Sequence, residues 1–145
     1  MEYSASTWDP TLKKDVDCLE RVQRKAARWA CGKYGIVSVT AVFKQLEWAD
    51  LSDRRRNQRL ILLYKSLHDL IAVPPGDVCF IRANRPPKDG LNRDKLQRPH
   101  ASDQHSPLWH SLAFRTIPEW NNLPASIAEA DSLDIFKGRL IAHKP

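Results

Sequence analysis

The 145-residue chain is poor in cysteine and glycine, holds a single methionine, and lacks long apolar runs. Three cysteines, Cys18, Cys31 and Cys79, are too few and too oddly numbered for a disulfide framework, so a reducing compartment is expected. Five glycines form no Gly-rich loop of the kind that cradles phosphates. No stretch approaches the ~20 apolar residues of a membrane span. Met1 to Pro10 lacks the basic region and apolar core of a signal peptide. The expected setting is intracellular, nuclear or cytoplasmic, with no membrane partner. Metal and catalytic chemistry are also missing their signatures. There is no Cys-x-x-Cys pair, and His100, His105 and His110, spaced by five, do not share one helical face. No nucleophile elbow occurs. Helix capping explains Asp50 and Asp53, and Trp48-Ala49-Asp50 lacks the second adjacent Asp of a polymerase metal turn. No catalytic residue, metal or cofactor is therefore expected.

What the chain does have is positive charge, unevenly distributed. Lys and Arg number 23 against 17 Asp and Glu, a net charge of +6. Such a balance suits a nucleic-acid partner without requiring one. Only Pro10 of the ten prolines precedes residue 74, which places a boundary near Val73-Pro74-Pro75-Gly76. Before it the chain reads as three helices. From Pro10 to Tyr34, Val16, Leu19, Val22, Ala26 and Ala30 recur at helical spacing, while Lys14, Arg21, Arg24, Lys25 and Arg28 take the opposite face. Gly32 and Gly35 stand where the helix should stop. Ser38 is a candidate N-cap for a short helix, Val39 to Leu46, with Val42, Phe43 and Leu46 inward. A third helix runs from Leu51 to Ile71, capped by Asp50 or Ser52, with Leu60, Leu63, Tyr64, Leu67, Leu70 and Ile71 facing the core. Its first turns carry Arg54, Arg55, Arg56 and Arg59, cations at the helix end that prefers anions. A docked polyanion relieves that mismatch, and so does water. From charge alone, an ordinary solvated surface is the commoner explanation of both basic faces.

After Pro74 the pattern loosens. Val78 to Ile81 is strand-like, and Arg82 to His100 has no period. Arg82, Arg85, Lys88, Arg93, Lys95 and Arg98 there face only Asp89 and Asp94, the composition of a basic loop suited to phosphate or of a plain polar connection. Trp109, Leu112, Phe114, Ile117, Trp120 and Leu123 form an aromatic-rich cluster around a short helix broken at Pro118 and stopped at Pro124. Trp109 and Trp120 suit base stacking or a small core. Asp131 or Ser132 caps a last helix, Leu133 to Ile141, with Leu133, Phe136 and Leu140 on one face.

Several phrases occur together in a characteristic order. Trp8-Asp9-Pro10 is followed by Leu19-Glu20-Arg21-Val22-Gln23-Arg24-Lys25-Ala26-Ala27-Arg28, then Leu46-Glu47-Trp48, Leu51-Ser52-Asp53-Arg54-Arg55, Arg59-Leu60 and Leu63-Tyr64-Lys65. Phe114-Arg115-Thr116-Ile117-Pro118-Glu119-Trp120-Asn121-Asn122-Leu123-Pro124 and Ser132-Leu133 with Phe136-Lys137 and Leu140 come later. Together they resemble the C-terminal, thumb and post-thumb region of reverse transcriptases from non-LTR, LINE-type, jockey-like retrotransposons, from about Glu2 to Leu140. The family's whole protein is an RNA-directed DNA polymerase, usually with an endonuclease. No palm, paired Asp motif or endonuclease phrase is present in this sequence. The resemblance implies a thumb's grip on a template-primer duplex, with the missing polymerase domains as packing partner, and no enzyme activity in this chain alone.

The expectation is a mainly α protein in three parts: a three-helix thumb-like segment (1–73), a Pro-rich basic linker (74–106) and an aromatic-rich tail with short helices (107–145). Nucleic-acid contact is assigned first to Arg21, Arg24, Lys25 and Arg28, and second to Arg54, Arg55 and Arg59. A phosphate-tracking surface of this kind binds without base readout. The alternative is a helical protein-interaction module that exposes Trp109, Phe114 and Trp120. A helix-turn-helix is disfavoured, because the Leu46 to Leu51 link has no Gly and the third helix is long for a recognition helix.

Overall fold

The computed structural model describes residues 9–33, 37–72, 81–82, 94–97 and 112–143. They form a mainly α protein. In chain order the elements are α1 (Lys13–Ala30), α2 (Val39–Leu46), α3 (Leu51–Leu67), β1 (Ile81–Arg82), β2 (Leu96–Gln97), α4 (Leu112–Asn121), α5 (Ala125–Ala128) and α6 (Leu133–Ala142). The strands pair antiparallel, Ile81 opposite Gln97 and Arg82 opposite Leu96. The expected boundary at Val73-Pro74 lies outside the described residues. Packing divides the chain within α3 instead, into units 1–56 and 57–145.

In the first unit, α1 ends in a left-handed turn. Gly32 takes φ +63°, and the Cys31, Gly32 and Lys33 amides bond back to Ala27, Trp29 and Arg28 carbonyls. A side chain at that φ would be strained. Helix α2 has the expected bounds, although the Ser38 side chain makes no capping bond. Its Val42 and Phe43 pack with Ala27 of α1, and Cys31, Val37, Val39 and Leu46 surround them.

The face that α1 turns to its neighbours differs from the expected stripe. Its buried residues are Glu20, Gln23 and Ala27, whereas Val22, Ala26 and Ala30 are exposed. At about 100° per residue this rotates the buried face by roughly a quarter turn from the apolar stripe. The cause lies in α3. The Ser52 amide donates to Glu20 Oε1 at 2.8 Å, and the Leu51 amide donates to Gln23 Oε1 at 3.0 Å and more weakly to Glu20 Oε2 at 3.4 Å. Gln23 Nε2 donates to the Ala49 carbonyl at 2.9 Å. Open amides at a helix start need acceptors, and here a neighbouring helix supplies them.

In the second unit, Leu60, Leu63 and Tyr64 of α3 pack with Ala113, Ile117, Trp120, Leu123, Ile127, Phe136 and Leu140. The last helix thus docks on α3 and α4, its Ser132 side chain capping the Ile135 amide as expected. Tyr64 lies at the centre, stacked on Phe136 at 4.4 Å between ring centroids, with its hydroxyl donating to the Ala130 carbonyl at 2.7 Å. Two helix boundaries depart from expectation. Helix α3 stops at Leu67, where Asp69 turns left-handed (φ 54°) and the Leu70 amide bonds back to the Lys65 carbonyl; Leu70 consequently leaves the core. Helix α4 runs through Pro118 rather than breaking there. Proline removes one amide from the ladder, but burial of Ile117 and Trp120 on either side carries the helix across.

Part of the expected basic loop is held in place. Asn121 brackets Leu96, accepting from its amide and donating to its carbonyl, both at 2.9 Å. The Trp120 indole N–H donates to the Asp94 carbonyl at 2.8 Å. The side-chain amide of Asn121 thereby acts as one more strand residue, and Leu96 is buried.

Candidate nucleic-acid interface

The basic residues of α1 and α3 meet different fates. Arg21, Arg24 and Lys25 are exposed and Arg28 is half-buried. They share one side of α1, set apart from the Glu20, Gln23 and Ala27 contact face. No ion pair among the described residues engages any of the four. Stepping three or four residues at a time, Arg21, Arg24 or Lys25, and Arg28 span roughly 10 Å of helix. Laid along a duplex axis, where the phosphates of one strand rise ~3.4 Å each, that length covers the rise of about three phosphates.

On α3, Arg55 and Arg59 are a correction. Arg55 is only 1% exposed; its Nε lies 2.8 Å from Asp9 Oδ1 and its Nη2 lies 3.7 Å from Glu20 Oε1. Arg59 is also buried, and its Nη2 donates to both Glu119 carboxylate oxygens at 2.8 and 3.0 Å. Neither guanidinium is placed to meet a phosphate. Arg54 and Arg56 are half-buried. The unfavourable cation-rich start of α3 is settled inside the fold: the Glu20 carboxylate caps the helix, and Asp9 and Glu20 neutralise Arg55. Arg55 and Arg59 need no external polyanion.

Other sequence candidates fall elsewhere. Phe114 and Trp120 are buried, Trp120 completely, so they do not form the exposed aromatic surface of the interaction-module reading. Trp109, Cys79, the three spaced histidines and Arg85, Lys88, Arg93 and Arg98 of the basic loop lie outside the described residues; Lys95 is half-buried. No group of three or more His, Cys, Asp or Glu among the described residues is arranged to hold a metal ion. No helix among them is long and apolar enough to cross a membrane.

Sequence reasoning missed Trp29, which is 72% exposed one residue beyond Arg28. Its signal in the sequence is an aromatic residue directly beside the basic face. Among the described residues, Tyr64 has a shifted titration. Burial, and secondarily the Asp131 carboxylate, hold its phenol above the ordinary tyrosine value. Tyr64 belongs to the core and not to the basic face. No protein-family model, curated protein or solved structure matches the chain.

Proposed function

We propose that this chain derives from the C-terminal, thumb and post-thumb end of a non-LTR retrotransposon reverse transcriptase, and that it binds nucleic acid through the backbone without reading sequence. By itself it is not an enzyme. The observation that carries the binding reading is the α1 face. Arg21, Arg24, Lys25 and Arg28 stand together on one side of a helix whose other contacts are already made, while Arg55 and Arg59 are consumed internally. Cations gathered on one helix face contact the phosphates of any strand of suitable geometry, which supplies affinity and no base code. The resemblance adds the ligand class, a template-primer duplex, RNA–DNA hybrid or DNA.

Several residues of the phrases that carry the resemblance have structural roles. Within them Glu20 caps α3, Glu119 holds Arg59, and Trp120 and Asn121 hold β2. These contacts hold the fold and leave the α1 cations to carry the binding reading.

The test is fluorescence anisotropy with a labelled RNA–DNA hybrid and two DNA duplexes of unrelated sequence. Comparable affinity for both duplexes is expected, with loss of binding in a variant carrying Arg21→Gln, Arg24→Gln, Lys25→Gln and Arg28→Gln. Circular dichroism on the variant checks that the helices remain. A folded wild-type chain that binds none of the probes at low salt overturns the reading.

A further inference from the structure

Helix α1 carries one large aromatic residue that its own unit does not use. Trp29 is 72% exposed, whereas Trp120 is fully buried and Trp48 leans on Phe43 with ring centroids 6.4 Å apart. An indole left in water at the end of a helix forgoes most of the burial that usually places it. Lys25 lies four residues before Trp29, so the two side chains are neighbours on the helix surface. Arg28 precedes it directly. Val22 lies two turns back and is 45% exposed.

Charge decides what fits beside that ring. From Arg21 to Lys33 the sequence holds Arg21, Arg24, Lys25, Arg28 and Lys33 and no acidic residue. Both acidic side chains exposed on α1, Asp15 and Asp17, belong to its N-terminal half. A second copy of this cationic half would be repelled. An anionic lipid surface would have to accept the whole apolar stripe, including Leu12 and Leu19, and Asp15 sits within that stripe. A ligand confined to the C-terminal half of α1 meets cations and one indole, beside the small apolar side chains of Val22, Ala26 and Ala30, and no acidic side chain of the helix. Phosphates with a planar ring between them satisfy both.

We propose that Trp29 is a stacking platform for an unpaired base, flanked by phosphate contacts from Lys25 and Arg28, so that this end of α1 takes a single strand or the single-stranded overhang of a duplex. The inference rests on the nucleic-acid reading above and sharpens its ligand class. In a paired duplex the base faces are stacked and hidden; only an unpaired nucleotide offers one to an indole.

The experiment compares wild type, Trp29→Ala and Trp29→Phe on a labelled single strand, a duplex with a single-stranded overhang and a blunt duplex. Trp29→Ala should lose roughly tenfold or more on the single strand and the overhang, and about twofold or less on the blunt duplex. The salt dependence should be unchanged, since stacking releases no counterions. Trp29→Phe should fall between. Oligonucleotide should quench wild-type tryptophan fluorescence, and this quenching should disappear in Trp29→Phe. Trp29 is exposed, so unchanged circular dichroism is expected in both variants. Wild-type affinity in Trp29→Ala overturns the proposal, and so does an equal loss on all three probes. A Trp29-dependent blue shift with phosphatidylserine vesicles, without quenching by oligonucleotide, also overturns it in favour of a lipid surface. If duplex binding depends on Arg21 and Arg24 while Trp29→Ala is silent, this inference alone fails. If the wild type binds no nucleic acid, both readings fail.

Discussion

Replacing Glu20 by alanine should destabilise the first unit by about 3 kcal/mol, because one carboxylate performs two tasks there. It accepts the Ser52 amide at 2.8 Å and, more weakly, the Leu51 amide at 3.4 Å. Loss of an N-terminal cap costs ~1 kcal/mol, and up to ~2 where the amides are left buried. It also faces Arg55, which is 1% exposed and otherwise paired with Asp9. Removing one partner of a buried pair costs roughly 3–5 kcal/mol when nothing else compensates. Asp9 remains, and the Glu20 contact at 3.7 Å is the longer of the two, so this contribution is set at about 1–2 kcal/mol. Glu20→Gln keeps an acceptor for Ser52 but removes the charge, and should cost about half as much. Urea unfolding followed by far-UV circular dichroism gives both values, and amide exchange at Leu51 and Ser52 localises the effect. A Glu20→Ala chain within about 0.5 kcal/mol of wild type, well below the ~1 kcal/mol of a lost cap, would refute the reasoning.

Three further outcomes follow from the second unit. Asn121→Ala removes both bonds that bracket Leu96; a loss of about 1–2 kcal/mol is expected, with faster exchange of the Leu96 amide, whereas unchanged exchange would dissociate Asn121 from β2. Trp120→Ala, which empties a fully buried site and removes the indole bond to the Asp94 carbonyl, should cost about 3–5 kcal/mol in a thermal or urea melt. Tyr64 has a folded-state pKa above its unfolded value of ~10. The protonated phenol therefore contributes stability that is fully present below pH ~10 and is lost as pH rises through the raised folded value. Melts from pH 8 to 11 should show that alkaline decline in wild type and a shallower one in Tyr64→Phe; equal slopes would contradict the assignment.

Local chemistry made parts of the fold legible. Val42, Phe43 and Leu46 at helical spacing behind Ser38 delimit α2 correctly, and Ser132 marks the start of α6 with a cap that forms. What stayed hidden was long-range. The period of α1 identifies a helix but not which face turns inward, because Glu20 and Gln23 are buried by amides 28 to 32 residues away. A polar pair chosen to cap another helix reads, in sequence, as surface. The same blindness made Arg55 and Arg59 look like binding residues, since Asp9 and Glu119 are distant in the chain. Pro118 illustrates the opposite error, in which a strong local rule yields to burial on both sides. On α1 the exposed cations Arg21, Arg24 and Lys25 carry the sign of a partner, and the indole of Trp29 was visible but unweighted.

The most direct test of the central claim is the salt dependence of affinity for an RNA–DNA hybrid, measured on wild type and on the chain with Arg21, Arg24, Lys25 and Arg28 all changed to Gln. Three to four phosphate contacts predict a log–log slope of about −3 for wild type. The quadruple variant should lose most of that slope, and Arg59→Gln, in a chain that remains folded, should leave it intact. A steep slope that survives the quadruple substitution, or a flat one in the folded wild type, would show that α1 does not grip the backbone.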